Sequence, residues 1–475
     1  MRQWGVTEAC GYVYLRHNLA YLREQKEVAY GTLLLDEDLH NASFTEKVDW
    51  AYIAQIEKDY GLPYLWPYLA VDRIIRHGQA VREYPHDEAP YTHEEMARML
   101  QVTARAIISM LDTERPDFVY LPVVSSLGNM LLYHIAKKKG IRVLVGAETR
   151  IDGGYALSED YRTFSFVDER FAQLRTGATG NEEAARTYIK KYRDAPRPYL
   201  YVMEQFKRSG SRARALRWFL PSSLWRSASW FAVVLSRALA GKARDYTDEA
   251  PWGFFIDRVQ RKARLMRGYH DLYDTPVEGE AYAYYPLHLD PEMATLLLAP
   301  YWTDQLNLIK QIARSLPLHF KLYVKEHPAM VGYRTRAYYQ TLKKIPNVRL
   351  VHPNLDNYRL IKESRLLCTI TGTAGWEALL FKKPVITFGD VYFNRVSMVK
   401  KCERIDELPL LVQQQVERFN FDEHELEQYV AALLERSANV SLHRLWEVGA
   451  DKKEMVHNLE SFCALLGPAA GLVKQ

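Results

Sequence analysis

Two regions of this chain alternate short apolar runs with helical patterns, and this alternation constrains the fold more than any other feature. In the first region, an apolar run at Phe118–Leu121 is followed by a helical pattern and then by a second run at Ile141–Val145. The second region extends from Ala281 to Gly389 and contains at least three such units. Strand–helix–strand repeats are typical of parallel sheets covered by helices. The 475 residues exceed one ordinary core, so we predict an α/β protein with two such domains.

The predicted organisation has three parts. Residues 1–275 form an N-terminal α/β domain with a helical insertion at about 200–270. This domain shows no clear strand near Met1, and its first candidate strand is Glu27–Leu35. Residues 276–422 form a C-terminal α/β domain, and residues 423–475 form C-terminal helices.

Composition excludes several classes of protein. The net charge of +5 is mild for this length and does not by itself indicate a nucleic-acid partner. The four cysteines lie far apart without a CxxC pair, which argues against a zinc site and a disulfide framework. The first residues carry charges and lack the apolar stretch of a signal peptide. No apolar run reaches the roughly 18 residues that span a bilayer, so we expect a cytoplasmic protein.

Polar residues follow the predicted strands of the second region. Lys-Glu-His-Pro comes directly after the strand Lys321–Val324, and Thr-Gly-Thr-Ala-Gly comes after the strand Leu366–Ile370. In an open α/β sheet, ligands bind beyond the carboxyl ends of the strands. A further polar stretch follows the strand candidate that ends at Pro286. The candidate ligand-binding residues are therefore His288, Lys325, Glu326, His327, Pro328, Thr371, Gly372, Thr373, Ala374, Gly375 and Glu377.

These residue types suit a nucleotide phosphate. Lys325 can neutralise its charge, and His327 can donate to one of its oxygens. Small residues after Thr371 let a ligand approach the backbone at a helix start, where unpaired N–H groups attract anions. Glu377 can accept from a ribose hydroxyl or simply complement the helix dipole. Each motif also has a structural alternative: a tight turn with threonine as the helix cap, a surface turn at Lys-Glu-His-Pro, and a turn stabilised by His288.

The same part of the chain resembles the bacterial capsule polysaccharide biosynthesis proteins, a family that includes Kdo transferases. The similar segments lie between Tyr284 and Gly389 and read YYPLHLDPEMAT, YWTDQLNLIKQIARSLP, LYVKEHP, IPNVRLV and TGTAGWEALLFKKPVITFG. The resemblance implies two Rossmann-like domains facing a cleft, as in GT-B type glycosyltransferases, with the donor on the C-terminal domain. The His327-Pro328 pair also resembles that of bacterial sialyltransferases, where it contacts CMP. This implies a CMP-sugar or another nucleotide-sugar near His327.

The resemblance also implies an acceptor side in the N-terminal half, where GIRVLVGAETRIDGGYALSED is similar to the family's strand and Arg-containing loop. Glu148 and Asp152 follow the strand Ile141–Val145, and either carboxylate could take the proton of an acceptor hydroxyl. Arg150 lies between them. The alternative is a solvated loop in which a carboxylate pairs with Arg150. Enzymes of this type generally need no metal, because cationic groups and helix ends stabilise the departing phosphate. We therefore expect neither a metal nor a cofactor.

Residues 206–244 interrupt the α/β pattern with nine Lys/Arg, no Asp/Glu and several aromatic residues. A helix pair packed on the domain explains this composition. A membrane-surface element explains it too, because cations attract anionic lipid while Trp225 and Trp230 enter the interface. Nucleic-acid binding is a third alternative, but no recognition motif accompanies the charge, and no nucleic-acid partner is expected.

The interpretation that follows is a cytoplasmic glycosyltransferase, peripheral at the inner membrane face, that builds a capsule or lipopolysaccharide glycan. Its partners are a nucleotide-sugar donor, a glycan or glycolipid acceptor, and an anionic membrane surface. Alternatives of the same fold are a nucleotide-sugar 2-epimerase and a polyol-phosphate transferase. An alternative from another class is a non-catalytic partner in polysaccharide assembly or export.

Overall fold

The computed structural model describes residues 2–77, 90–151, 153–197, 221–239, 251–440 and 452–473. The chain divides into two compact units. Unit 1 comprises Met1–Arg76, Glu88–Thr187 and His424–Gln475, and unit 2 comprises His77–Asp87 and Tyr188–Glu423. The predicted boundary lay at residues 275 and 276. The structure instead assigns residues 188–275 to unit 2 and returns the C-terminal segment to unit 1.

Unit 1 contains two sheets. One is a parallel pair of β1 (Glu8–Val13) and β2 (Ala29–Leu35). The other is built from β3 (Phe118–Leu121), β4 (Arg142–Glu148), β5 (Gly154–Ser158) and, from the end of the chain, β12 (Ser437–Asn439). In its order, β12-β5-β4-β3, the pair β3–β4 is parallel and the other two pairs are antiparallel. Pairing of β12 with β5 explains why the C-terminal segment belongs to this unit.

Strand β1 corrects the prediction that no strand lies near Met1. Its sequence is Glu-Ala-Cys-Gly-Tyr-Val, and only Val13 is buried. Such a strand lacks the apolar run by which buried strands are recognised, so sequence patterning missed it. The later candidate, Glu27–Leu35, is confirmed as β2.

Helix α7 (Leu127–Lys138) of unit 1 begins at the polar cap that the sequence predicts. Ser126 accepts a hydrogen bond from the Asn129 amide at 3.2 Å at the start of α7, and Gly140, with φ of +77°, follows this helix. The helices of this unit are α1 (Arg16–Glu24), α2 (Asp36–Ser43), α3 (Trp50–Tyr60), α4 (Trp66–Ala70), α5 (Arg73–His77), α6 (His93–Glu114), α7 (Leu127–Lys138), α8 (Ser165–Arg175), α9 (Glu182–Asp194), α18 (Glu423–Glu435) and α19 (Lys452–Ala469). The division between the units falls within α5, within α9 and at the start of α18.

Unit 2 is organised by one parallel sheet of six strands. The strands are β6 (Tyr282–Pro286), β7 (Lys321–Lys325), β8 (Val348–Val351), β9 (Leu366–Thr369), β10 (Val385–Thr387) and β11 (Val399–Lys401). Their order is β11-β10-β9-β6-β7-β8. The expected α/β class with parallel sheets is confirmed, and the strand order makes β6 the central neighbour of β7 and β9.

The helices of unit 2 precede, connect or follow its strands. They are α10 (Pro221–Leu239), α11 (Pro251–Arg267), α12 (Met293–Leu298), α13 (Gln305–Ser315), α14 (Arg336–Lys343), α15 (Asn357–Glu363), α16 (Thr373–Leu380) and α17 (Leu408–Glu417). Leu322, Leu350 and Ile386 of the sheet form one buried core with Ile309 and Ile312 of α13. Each such side chain contributes about 1.5–3 kcal/mol by leaving water, so this core holds the sheet as a rigid platform.

Register brings three strand ends to one level. Pro286, the last residue of β6, lies opposite Lys325, the last residue of β7. Tyr284 lies opposite Leu367, which places the ends of β6 and β9 level as well. The loops after these three strands therefore start side by side. Within the described ranges, no helix is both long and apolar enough to cross a bilayer.

Candidate functional site

His288 lies at the centre of the candidate site, two residues beyond β6. Its amide donates to Oε1 of Gln305 at 2.8 Å, and its ring Nε2 accepts from the Thr371 amide at 3.1 Å. Because Nε2 accepts, the neutral ring carries its proton on Nδ1. Nδ1 is buried and has no hydrogen-bond partner among the described residues. The site therefore contains a buried donor that a ligand could satisfy.

Burial keeps this imidazole neutral. The pKa of His288 is lowered to about 3, mainly by burial and to a smaller extent by the electrostatic effects of His327 and Arg334. Near neutral pH, His288 is a hydrogen-bond donor without a charge.

Arg334 is a buried residue that sequence reasoning missed. Its guanidinium donates to Oε1 of Glu326 at 2.5 Å and to the backbone carbonyl of His288 at 2.8 Å. Only 4% of Arg334 and 1% of Glu326 are exposed. The arginine thus joins the loop after β6 to the loop after β7. It lies in the irregular segment before α14, where no periodicity or motif marks it.

Glu326 is held by the protein's own donors. Besides Arg334, it accepts from the hydroxyl of Tyr339 and from the amide of His327, each at 2.7 Å. A carboxylate with three such partners is fixed in orientation. Its position supports a role in shaping the Lys-Glu-His-Pro loop beneath a ligand.

His327 caps the short 3-10 helix Pro328–Met330. Its Nδ1 accepts from the Ala329 amide at 3.2 Å, which leaves the proton on Nε2. The pKa of His327 is lowered to about 4, mainly by burial and to a smaller extent by the charges of Arg334 and Lys325. His327 is therefore a second neutral donor.

Lys325 connects two strand-end loops. Its ammonium donates to the carbonyl of Leu355, in the loop after β8, at 2.8 Å. The side chain is buried. Lys325 therefore acts through a fixed position rather than as a solvated charge.

The Thr-Gly-Thr-Ala-Gly turn begins α16 without a side-chain cap. Gly372 is the residue before the helix, so neither threonine serves as its cap. A Cβ on Gly372 would lie 2.7 Å from Oγ1 of Thr369, and a Cβ on Gly375 would lie 2.8 Å from Cζ of Phe393. A side chain at either glycine would therefore collide with a neighbouring side chain of the protein itself. The helix start itself stays open to an anion.

Thr371 adds a second unsatisfied group beside this helix start. Its hydroxyl oxygen is buried and lacks a partner within the described part of the chain. Thr373 and Ala374 occupy the first helical positions, where amides have no acceptor in the preceding turn.

Glu377 lies one turn further along α16. The helix starts earlier than predicted, at Thr373, so Glu377 is in its second turn. It is 8% exposed, and Asn357 donates to its Oε2 at 3.1 Å. Burial raises the pKa of Glu377 to about 7, while the hydrogen bond from Asn357 and the charge of Lys325 oppose the rise.

The candidate catalytic residues lie in unit 1. Glu148 ends β4 and is paired with Arg150 at 3.3 Å, with both side chains partly exposed. The segment is the turn of the antiparallel hairpin β4–β5, closed by the Thr149 amide on the Gly154 carbonyl at 2.9 Å. This matches the alternative in which the carboxylate pairs with Arg150. Asp152 lies outside the described residues.

A group of metal-ligand type lies elsewhere in unit 1. Ligand atoms of Glu182, His424 and Glu427 are within 4.8 Å of one another. Arg186 already pairs with Glu427 at 2.8 Å and with Glu182 at 3.2 Å. Because Arg186 is paired with both acids, we interpret the group as an ion-pair network.

The basic insertion is described from Pro221 to Leu239, as α10, which packs on α11. Phe231 and Phe255 bring the two helices together with ring centroids 5.7 Å apart. Trp225 is 75% exposed and Trp230 is 41% exposed. The structure therefore has the helix pair of the first alternative, but its tryptophans do not fill a core.

The loops of this site lie largely in a segment that known proteins share. Residues 292–402 match the family model described as capsule polysaccharide biosynthesis protein. The resemblance to that family is confirmed over this segment. It includes Lys325, His327, Thr371 and Glu377, and it covers less than a quarter of the chain.

One curated relative is the protein FixF of Sinorhizobium fredii. It is 30% identical over 129 residues, which cover 26% of this chain and 31% of that protein. The chain thus spans about a third of the length of this relative.

Solved structures give weak overall likenesses. The beta Kdo 2,7 transferase of KpsC from Thermosulfurimonas dismutans is 15% identical, with 74% of this chain and 83% of that chain covered and a TM-score of 0.31. The beta Kdo 2,4 transferase of the same protein is 12% identical, with 66% of this chain and 77% of that chain covered and a TM-score of 0.34. A UDP-GlcNAc 2-epimerase from Methanocaldococcus jannaschii, in complex with UDP-GlcNAc and UDP, is 13% identical. The match covers 90% of this chain and 99% of that chain, with a TM-score of 0.27.

Proposed function

We propose that this chain is a glycosyltransferase that binds a nucleotide-sugar at the carboxyl edge of the unit 2 sheet. It transfers the sugar to a growing bacterial capsule or lipopolysaccharide glycan. The observation that carries the proposal is a pair of neutral histidine donors, His288 and His327, beside the uncapped start of α16. The match of residues 292–402 to the capsule family supports the kind of glycan. The family resemblance supports Kdo or a related sugar, from a CMP-sugar or another nucleotide-sugar.

The site offers a phosphate one cation and several neutral donors. Arg334 is already paired with Glu326, whereas the Lys325 ammonium donates to a neutral carbonyl and keeps its charge. Neutral donors are Nδ1 of His288, Nε2 of His327 and the amides at the helix start. Fixed neutral donors stabilise a phosphate without the desolvation penalty of another buried charge.

The proposed reaction is a displacement at the anomeric carbon of the sugar. The acceptor hydroxyl oxygen forms a bond to the anomeric carbon, and the bond from that carbon to the phosphate oxygen breaks. The nucleotide leaves with the bonding electron pair, and the histidine donors and the α16 start stabilise its growing negative charge. The hydroxyl proton passes to a base, for which Glu148 and Asp152 are the candidates, with Arg150 on the acceptor side. This mechanism requires no metal ion.

The surface of α10 and α11 is the proposed contact with the membrane. On α11, the exposed apolar residues Ile256, Val259 and Met266 recur at helical spacing. Arg258 lies over the exposed ring of Trp230, at 5.9 Å from its centroid. Exposed aromatic and apolar groups among cations are complementary to an anionic lipid surface. We propose a peripheral position at the inner face of the membrane.

Product analysis tests the proposed activity. The full chain is incubated with CMP-, UDP- and GDP-sugars, each with and without a lipid-linked glycan acceptor. We expect free nucleotide and an extended glycan only when acceptor is present. A changed sugar without acceptor would instead support the epimerase. With a CDP-polyol in place of the nucleotide-sugar, release of CMP and attachment of the polyol phosphate to the acceptor would support the polyol-phosphate transferase. Nucleotide binding without any product would support the non-catalytic partner, and no binding to any nucleotide-sugar would overturn the assignment.

A further inference from the structure

Glu377 is linked to the centre of the sheet by two hydrogen bonds. The hydroxyl of Tyr284, in β6, donates to Oδ1 of Asn357 at 2.6 Å. Asn357, the first residue of α15, donates through Nδ2 to Oε2 of Glu377 at 3.1 Å. The series Tyr284–Asn357–Glu377 therefore runs from a central strand to the carboxylate on α16.

The chemistry of the three groups fixes the direction of this series. Above its pKa of about 7, Glu377 is an ionised carboxylate that only accepts, so the amide group of Asn357 that faces it must be the NH₂. The amide oxygen then faces Tyr284, whose burial raises its pKa well above the usual value and keeps its hydroxyl a donor. Tyr284 is fully buried, so the asparagine cannot reverse without leaving a buried hydroxyl unsatisfied.

One oxygen of Glu377 is left for another partner. Its Oε2 is held by Asn357, and no hydrogen bond to Oε1 is found among the described residues. Oε1 is also absent from the buried polar atoms that lack a partner, so it is not sealed from solvent. The carboxylate is thus oriented, and a single acceptor position remains open.

We propose that Tyr284 and Asn357 are positioning residues that orient Glu377 so that its open oxygen accepts a ribose hydroxyl of the donor. This inference rests on the proposed nucleotide-sugar site. It adds that the site selects ribonucleotides over analogues that lack one of the two ribose hydroxyls and that this selection depends on residues that do not touch the ligand. A site built to hydrogen-bond a hydroxyl rejects an analogue without it, because the buried acceptor is then left unpaired.

The experiment compares binding of CMP, UDP and GDP with their 2′-deoxy and 3′-deoxy counterparts by titration calorimetry at pH 8, above the Glu377 pKa of about 7. For the nucleotide that binds most tightly, we expect the wild-type chain to prefer the ribose form over one deoxy form by roughly tenfold or more, the size of one hydrogen bond to a charged acceptor. Tyr284→Phe and Asn357→Leu should bring this ratio towards one. Glu377→Gln should lower it as well, and Tyr284→Phe should then have little further effect.

Tyr282→Phe is the matched control. Tyr282 lies on the same strand, and its buried hydroxyl donates to the Leu360 carbonyl at 2.8 Å without contacting Asn357. Its loss removes an equivalent hydrogen bond, so Tyr282→Phe should lower the melting temperature to a similar extent and leave the ratio unchanged.

The outcomes separate two failures. If the wild-type chain binds none of the nucleotides, the proposed function fails and this inference falls with it. If it binds them with a ribose preference that Tyr284→Phe and Asn357→Leu retain, or with no ribose preference, the positioning inference alone is overturned. Circular dichroism and melting temperature establish that each variant is folded before its ratio is used.

Discussion

Arg334 and Glu326 form an ion pair of 2.5 Å beneath the loops that follow β6 and β7, and both side chains are buried. The same guanidinium holds the carbonyl of His288, and the same carboxylate holds the amide of His327. The two histidines that we propose as hydrogen-bond donors to the phosphate are thus both oriented by the Arg334–Glu326 ion pair.

Removing one member of this pair should destabilise unit 2. Arg334→Met leaves the Glu326 carboxylate buried without its cation, and such changes destabilise by about 3–5 kcal/mol. The double variant Arg334→Met/Glu326→Leu should lose less than the sum of the single changes, because no buried charge remains. Urea unfolding measures the free energy of unfolding of the single and double variants. The control is Arg349→Met, which breaks the more exposed pair with Glu280 and should cost about 1 kcal/mol or less. If Arg334→Met and Arg349→Met lower the free energy of unfolding equally, burial of the Arg334–Glu326 pair is not what makes it important.

Loss of either histidine should weaken nucleotide binding. His288→Ala and His327→Ala each remove a neutral donor, and we expect an affinity loss of roughly 5- to 100-fold for the best-binding nucleotide, with the fold retained. His319→Ala is the matched control, because His319 is exposed at the opposite end of β7, before its first residue. Affinity that His288→Ala and His327→Ala leave at the wild-type value would remove these donors from the site.

Glu377 should make stability depend on pH. Its pKa is about 7 in the folded chain against an ordinary 4.5, so the folded state holds the proton more tightly than the unfolded state. Stability from this group is complete below pH 4.5 and is lost as pH rises through 7. Among its neighbours, Lys325 lowers the pKa and Asp356 raises it, while burial keeps Tyr284 and Tyr358 neutral.

The comparison is with Glu377→Gln, which cannot titrate. Relative to this variant, the unfolding free energy of the wild-type chain should fall by about 2–3 kcal/mol between pH 5 and pH 8. Denaturant unfolding at both values checks this. A difference that stays constant, or that rises with pH, would show that the carboxyl is not held protonated by burial.

Gly375 should be intolerant of a side chain for reasons of packing. In Gly375→Ala, the new Cβ would lie 2.8 Å from Cζ of Phe393 and 3.0 Å from Cγ2 of Thr369. Overpacking of this kind costs about 1–3 kcal/mol. Adding Phe393→Leu should recover part of the loss, because it removes the ring that the methyl meets. If Gly375→Ala loses nucleotide affinity at unchanged melting temperature, the residue instead serves the ligand's approach, as its sequence first suggested.

The α10–α11 surface should bind anionic vesicles at low salt. Sedimentation with phosphatidylglycerol vesicles should fall as ionic strength rises, because salt screens each cation's contribution of about 1 kcal/mol. Trp225→Ser with Trp230→Ser should reduce binding even at low salt without lowering the melting temperature, since both rings are exposed. Tyr301→Ser, which removes an exposed ring elsewhere in unit 2, is the control. Absence of sedimentation at low salt would end the membrane proposal and leave the donor site unaffected.

Local sequence determined where the site would be found. The runs Lys321–Lys325 and Leu366–Thr369 are apolar enough to form buried strands, and polar residues follow each directly. In parallel strands the chain direction alone sends these endings to one edge of the sheet. The positions of His288, His327 and Thr371 at that edge were therefore predictable from nearby residues.

The tertiary structure decided what those residues can do. The pairing of Arg334 with Glu326 and the reach of Asn357 to Glu377 both join segments that sequence patterning treats as separate. The neutral state of the histidines depends on burial by the whole unit. Strand β12, which comes after β11 in the chain, pairs with β5 in the sheet of unit 1, and no local pattern marks this pairing. Hydrophobic periodicity reports only the environment of each local segment, whereas partners, charge states and unit membership are set by contacts between residues distant in the chain.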